Sequence, residues 1–442
     1  MRIAYISTGA GGMYCGTCIH DNTLAAALLK KGHEVALIPT YTPLRTDEAN
    51  VSIERVFYGG INVYLEEKFA VFRHTPWIVD KLLNSTKLLN WLSKLSATTD
   101  AKELGALTVS VLSGEQGHQK KELAKLIAWL KESYQPQLVH LNNSMFLGFV
   151  REIKKALGVP VLCAVQGEDL FLDELVEPYQ SQAKQLLRER AADVDGFIAT
   201  SRYYADFMSE YLAVPREKFH MVKLGIKLDD YTGSANNRNA SPFVIGYLAR
   251  VAPEKGLHLL VEAFHKLRQK NGAGKVKLKV GGYLGRKDHG YFEKIKAQWQ
   301  QWDLNGDVEY LGELERRQKI DFLGSIDVLS VPTIYKESKG LFVLEALANG
   351  VPVVQPRHGS FPELIEATGG GLLVEPDSAE ALVEAFGHLM GEPERRERLG
   401  RQGQAAVRRL FSDDVMAEET LEVYRKYLGS HAKTQSRQGT KY

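Results

Sequence analysis

The sequence predicts an α/β protein built from two Rossmann-like, doubly wound domains that face a cleft. Three observations predict it. The chain has 442 residues, more than the roughly 250 to 300 at which a single hydrophobic core stops growing. Short β-rich apolar runs alternate with amphipathic helical stretches in both halves, the pattern of a parallel sheet wrapped by helices. A polar stretch at 229–242, DDYTGSANNRNASP, then separates one such series from the next.

The first series opens at residues 2–7, a buried strand pattern that runs into Gly9, Ala10, Gly11 and Gly12, followed by a helical stretch at 22–31 that ends at Gly32. Residues 35–39 give the next strand, and 138–141, 159–165 and 196–199 three more, with charged amphipathic helices such as 119–132 between them. The second series places strands at 243–248, 276–280, 308–311, 328–331, 351–355 and 372–374. These boundaries give an N-terminal domain at 1–228, a linker at 229–242, a C-terminal domain at 243–410, a terminal helix at 411–428 and a flexible tail at 429–442. Val415, Leu421, Tyr424 and Leu428 lie near helical spacing, so one face of the terminal helix packs on a domain.

A helical insertion at about 51–119 interrupts the first series. Within it Trp77, Ile78, Leu82, Leu83, Leu88, Leu89, Trp91, Leu92 and Leu95 lie among lysines, an amphipathic pattern that fits helices covering the cleft, with peripheral contact at the inner face of a membrane as the alternative. No signal-peptide pattern and no apolar run of about 18 residues is present, so the expected compartment is the cytoplasm. Lysine plus arginine (56) nearly cancels aspartate plus glutamate (54), which leaves no basic field for sequence-independent nucleic-acid binding. Three cysteines cannot form a disulfide framework. Cys15 and Cys18 form a CxxC with His20 and Asp21 close behind, yet no second ligand pair completes a metal site, and small residues packing at a helix start explain the motif.

The chemistry concentrates in the second series. In ESKGLFVLE, 337–345, a loop after a strand leads into an apolar helix. A helix beginning near Gly340 offers the free N–H groups of Gly340, Leu341 and Phe342, and its positive dipole end, to an anion such as a diphosphate. Glu345 falls a little over one turn inside, near enough to accept hydrogen bonds from a ribose; Glu337 sits in the loop before it. Two glutamates so spaced equally fit a charged loop and a buried cap. In GYLARVAPEKG, 246–256, Arg250 and Lys255 project from the carboxyl end of the first strand of this domain, where ligands bind in doubly wound folds. An arginine forks onto phosphate oxygens and a lysine acts as a point charge, and both stabilise a leaving diphosphate as its charge grows. Either one alone also fits a solvated surface charge.

These stretches together resemble family 4 glycosyltransferases of the retaining type with the GT-B fold, and the resemblance covers nearly the whole chain. VEYLGEL at 308–314, SIDVLSVPT at 325–333, the E-x7-E element, ALANGVPVVQP and HGSFPELIE at 358–366 occur in the order that family shows. The resemblance implies a nucleotide-diphosphate sugar as donor, transferred with retention to a hydroxyl of a sugar, lipid or small-molecule acceptor, with no nucleic acid, no other cofactor and no required metal. It implies that Arg250 and Lys255 hold the diphosphate, that Glu345 binds the ribose, that Glu337 lies beside the donor sugar, and that Gly340, Leu341 and Phe342 cradle phosphate. The turn at 312–314, ending in Leu314, meets the base through main chain, and Gly11 and Gly12 form the glycine loop after the first strand. One position departs: where the family commonly has histidine before glycine, contacting the donor sugar, this chain has Gln166, which hydrogen bonds but does not protonate near neutral pH. Glu168 and Asp169 follow it and fit either acceptor contacts or a helix cap. The alternatives are a phosphorylase or epimerase on the same fold, a noncatalytic nucleotide-sugar-binding protein, and a redox or metal protein built on the cysteines.

Overall fold

The computed structural model describes residues 1–9, 16–59, 63, 66–67, 101–231 and 242–439. The expectations at Gly11, Gly12 and Cys15, at most of the linker, and at Trp77 and Trp91 with the apolar residues around them lie outside the described residues.

The chain divides into two units, Met1–Lys223 with Met416–Tyr442, and Leu224–Val415. In the first, β1 (Arg2–Thr8), α1 (Gly16–Lys30) and β2 (Glu34–Thr40) are followed by α2 (Ala101–Leu112), α3 (Lys120–Trp129), β3 (Leu138–Leu141), α4 (Val150–Leu157), β4 (Val161–Ala164), α5 (Asp169–Asp173), α6 (Tyr179–Ala191), β5 (Gly196–Ala199), α7 (Arg202–Leu212) and β6 (Phe219–Met221). All pairings are parallel, in the order β2-β1-β3-β4-β5-β6, with Ile3 opposite Val35 and Leu138. A parallel sheet covered on both faces needs apolar residues on both; accordingly Ile3, Ala4, Tyr5 and Ile6 are all fully buried.

The second unit contains β7 (Phe243–Leu248), α8 (Leu257–Asn271), β8 (Val276–Gly281), α9 (His289–Gln301), β9 (Val308–Gly312), α10 (Arg316–Gly324), β10 (Val328–Leu329), α11 (Leu341–Ala348), β11 (Val353–Pro356), α12 (Phe361–Thr368), β12 (Gly371–Val374), α13 (Ala379–Gly391) and α14 (Pro393–Leu410). Its sheet is again wholly parallel, in the order β12-β11-β10-β7-β8-β9. The strand order reverses between β1 and β3 in the first sheet and between β7 and β10 in the second. The carboxyl ends of those strands are where open α/β sheets bind ligands.

Two boundaries and one strand differ from the expected ones. The first unit ends at Lys223, ahead of the expected 228, because Leu224, Ile226 and Tyr231 are buried in the core of the second unit. Backbone bonds tie them there: Ile226 N–H to the Phe411 carbonyl and Asp413 N–H to the Ile226 carbonyl. The last helix, α15 (Asp413–Gly439), runs past 428 through most of the stretch expected to be a flexible tail. It belongs with the first unit, where Met416, Ala417, Leu421 and Tyr424 are buried against Ile3, Tyr5 and Leu24. Strand β6 was absent from the sequence expectation, since three residues at a sheet edge carry too short a pattern to be read.

Candidate functional site

The carboxyl end of β7 turns sharply. Gly256 has φ 72°, and a Cβ there would lie 1.8 Å from the carbonyl oxygen of Pro332, so only glycine lets this turn pack against the chain leaving β10. The turn delivers both cations named from the sequence. Arg250 is about one-third exposed and is held by Glu254, four residues on, and by Asp288 at 3.5 Å. Lys255 donates from Nζ to Glu337 Oε2 at 2.8 Å and to the Tyr335 hydroxyl, and its ammonium lies 4.8 Å from the centre of the Tyr335 ring.

Glu337 is 5% exposed. Burial opposes its ionisation, but the Lys255 ammonium, the Tyr335 hydroxyl and the Lys339 N–H outweigh that cost and hold its carboxyl at about 2. Tyr335 moves the other way, since burial and then the Glu337 charge push its hydroxyl well above the usual phenol range. Lys255, Tyr335 and Glu337 therefore form one charge-assisted chain beside the switch point.

Gly340 caps α11 in the left-handed region, φ 77°, where an added Cβ would come within 2.9 Å of Leu364 Cδ1. Apart from Glu345 the helix is apolar, with Phe342, Val343, Leu344, Ala346, Leu347 and Ala348 in the core. Packing on every side thus fixes where its first N–H groups point. Glu345, one turn in, is 6% exposed and pairs with Lys319 of α10. Leu314 follows β9 and fills the space over Gly281, whose absent Cβ would meet Leu314 Cδ1 at 2.8 Å. The second unit thus gathers Arg250, Lys255, Glu337, Gly340, Leu341, Phe342 and Glu345 about the β7/β10 switch point. The arrangement can bind a polyanion through two cations and a helix N-terminus, with a carboxylate beyond it for hydroxyls.

In the first unit the three polar residues after β4 serve the interior. Gln166 is 7% exposed, and its side-chain amide donates to Asp21 Oδ1 at 3.0 Å and to the Asn142 carbonyl at 2.8 Å. Both oxygens of Glu168 accept backbone N–H groups, from Ser144 at 2.9 Å and from Gln166 at 2.6 Å. Asp169 accepts from the Tyr204 hydroxyl at 2.6 Å, and burial raises its carboxyl pKa despite that bond. Neither carboxylate caps α5 through its side chain at the N-cap position.

Sequence reasoning missed Tyr335 and Lys319. Tyr335 stands two residues before Glu337 in the same loop, a proximity that could have marked it. Lys319 is 26 residues from Glu345 and carries no local signal. Among the described residues no group of three or more His, Cys, Asp or Glu side chains could hold a metal ion, and no helix is long and apolar enough to cross a membrane. Cys18 is buried with its Sγ 3.3 Å from the Thr8 carbonyl oxygen, and burial pushes the Cys163 thiol pKa up.

The model of a family described as Glycosyl transferases group 1 matches residues 233–406, and one described as Glycosyltransferase Family 4 matches residues 107–230. The D-inositol 3-phosphate glycosyltransferase of Segniliparus rotundus is 26% identical over 397 residues, which take in 84% of this chain and 85% of that protein. Two other curated relatives are matched over about half their length, 54% and 56%. Among solved structures, sucrose-phosphate synthase from Thermosynechococcus elongatus aligns with a TM-score of 0.70 at 18% identity, covering 97% of this chain and 99% of that one. Anabaena HepE, solved in complex with UDP-glucose, aligns with a TM-score of 0.65 at 16% identity, covering 96% and 99%. These last two likenesses are of fold, and the two parallel six-stranded sheets are those of the GT-B class. The two family models match adjacent stretches in turn, and over 107–230 and 233–406 the chain is similar to the glycosyltransferases they describe, family 4 and group 1.

Proposed function

We propose that this protein transfers a sugar, with retention of configuration, from a nucleotide-diphosphate sugar to an acceptor hydroxyl. One observation carries the reading: Arg250 and Lys255 at the end of β7 and the N-terminus of α11 beyond β10 converge on one switch point, with Glu345 a turn further in. A diphosphate fits two cations and a set of free N–H groups, and the ribose then falls to Glu345. The solved complex of HepE with UDP-glucose supports a donor of this class.

In this reading Arg250, Lys255 and the N–H groups of Gly340, Leu341 and Phe342 hold the diphosphate, the main chain near Leu314 meets the base, and Glu337 lies beside the donor sugar. The bond between the anomeric carbon and the phosphate oxygen breaks as the acceptor oxygen bonds to that carbon on the same face. The acceptor proton passes to the departing phosphate oxygen. Charge builds on the diphosphate as the bond breaks, so the cations stabilise the transition state more than the ground state. Charge neutralisation is assigned to the protein and not to a metal ion. The acceptor is a sugar, lipid or small molecule with a free hydroxyl. Glu168, with both oxygens on backbone donors, acts by holding Gln166 in place.

The test is a thermal-shift screen against UDP, GDP, ADP and their hexose conjugates, on the wild type and on Glu345→Ala and Arg250→Ala. A ligand that binds only the folded state raises stability by RT ln(1 + [L]/Kd), about 2.7 kcal/mol at 100 times Kd. The expected result is a rise with one base that both variants lose. Absence of any rise in the wild type overturns the reading.

A further inference from the structure

The first unit carries a second built cluster, of which the reading above uses Gln166 alone. It lies at the carboxyl ends of β1, β3 and β4, where the strand order of that sheet reverses. Asp21 of α1 has no exposed surface. Its Oδ1 accepts from the Tyr5 hydroxyl at 2.7 Å and from Gln166 Nε2 at 3.0 Å; its Oδ2 accepts from the Ser7 hydroxyl at 2.5 Å and from Asn142 Nδ2 at 2.7 Å. Burial opposes ionisation, yet the neighbouring His20 and the Ser7 and Tyr5 hydroxyls hold the Asp21 carboxyl below its ordinary range.

His20, the residue before it, brings Nδ1 to 3.3 Å from Asp21 Oδ1. The side chain is 7% exposed. Nδ1 faces the carboxylate, so Nε2 is the nitrogen left to meet a ligand, and among the described residues that nitrogen has no hydrogen-bond partner. Anchoring α1 to the sheet does not require this imidazole, because four neutral donors from β1 and the segments after β3 and β4 already occupy the carboxylate. A ring nine-tenths buried, with one nitrogen on the carboxylate and no partner for the other among the described residues, is placed to meet a group that both donates and accepts hydrogen bonds. An anion is disfavoured by the Asp21 charge next to the ring. A neutral hydroxyl is not.

We infer that His20 binds a sugar hydroxyl through Nε2, and that Asp21 is the positioning residue that fixes the ring. The inference rests on the glycosyltransferase reading for its ligand class. The hydroxyl can come from the donor hexose or from a free polyol acceptor, and the two are told apart as follows. The nucleoside diphosphate that stabilises the wild type, and its hexose conjugate, are titrated calorimetrically into wild type, His20→Ala and Asp21→Asn. Saturation-transfer NMR follows free glucose, mannose and myo-inositol with the same three proteins. A loss of about tenfold in affinity for the conjugate, with the nucleoside diphosphate bound as before, assigns the hydroxyl to the donor. Unchanged donor affinities with lost saturation transfer assign it to the acceptor. His20→Ala behaving as wild type in both arms overturns the inference. Asp21→Asn is expected to follow His20→Ala; if it does not fold, the His20→Ala comparison still decides. If no nucleoside diphosphate stabilises the wild type, the glycosyltransferase reading fails, and the polyol arm still reads His20.

Discussion

At the scale of single residues, both cations of the candidate donor site have carboxylate partners before any ligand arrives. Lys255 neutralises Glu337, and Glu254 and Asp288 neutralise Arg250. Removing one partner of a buried pair leaves the other charge uncompensated, which typically costs about 3–5 kcal/mol. Lys255→Met is therefore expected to lower the free energy of unfolding in urea by that order. The pH response changes sign as well. In the wild type, Glu337 has a folded value of about 2, below the ordinary 4.5, so its contribution is present above the ordinary carboxylate range and is lost as pH falls toward 2. Without Lys255 the ammonium that chiefly offsets burial is gone, and burial is expected to carry the carboxyl above its ordinary value. Acid then relieves the variant, whose melting temperature rises from pH 7 to pH 5 where that of the wild type does not; a parallel fall in both proteins would rule this out. Arg250, Lys255, Glu337 and Glu345 were all legible in the sequence, because each lies in a short run with strand-loop-helix context. Lys319 was not assigned a role there because its partner Glu345 lies 26 residues away; Tyr335 and the ring of His20 were not either, although Glu337 and Asp21 stand close by in the chain.

At the scale of elements, legibility followed periodicity. The strands buried on both faces could be found because a parallel sheet demands unbroken apolar runs. Helix α1 begins at Gly16, six residues before the apolar stretch that announced it, since its first turns carry Cys18, His20 and Asp21 in tertiary contacts that override weak helix propensity. Helix α11 shows the opposite case, where its start could be placed near Gly340 from sequence and the left-handed φ of 77° explains why. An alanine there pays for a left-handed backbone and pushes on Leu364 at 2.9 Å. Gly340→Ala is expected to cost about 1–2 kcal/mol in urea unfolding, and to weaken binding of the nucleoside diphosphate by displacing the first N–H groups of the helix. Calorimetry on the folded variant at low temperature separates the two effects, and an undiminished affinity would remove α11 from the phosphate site.

At the scale of the whole molecule, the chain passes from the first unit to the second after Lys223 and returns after Val415. The return is what the sequence concealed: an amphipathic terminal helix announces that it packs on a domain without saying which one. Its buried face identifies the partner. Met416, Ala417, Leu421 and Tyr424 complete the cluster that holds Ile3, Tyr5 and Leu24, and the Tyr424 hydroxyl meets His140 Nδ1 at 2.5 Å beneath the Tyr5 ring stacked on that imidazole. Burial drives the His140 pKa down to about 3, so this histidine is a neutral member of the core. A chain ending at Val415 loses three large apolar side chains from that core, each worth about 1.5–3 kcal/mol of burial, against a typical total stability of about 5–15 kcal/mol. The truncated protein is expected to lose cooperative folding of its first unit while the second unit, whose core lies within Leu224–Val415, still melts cooperatively. Differential scanning calorimetry reads both transitions, and a synthetic peptide of residues 413–439 added in excess is expected to restore the missing one. Two undisturbed transitions after truncation would show that the first unit stands without its last helix, and that the return crossing contributes little to its core.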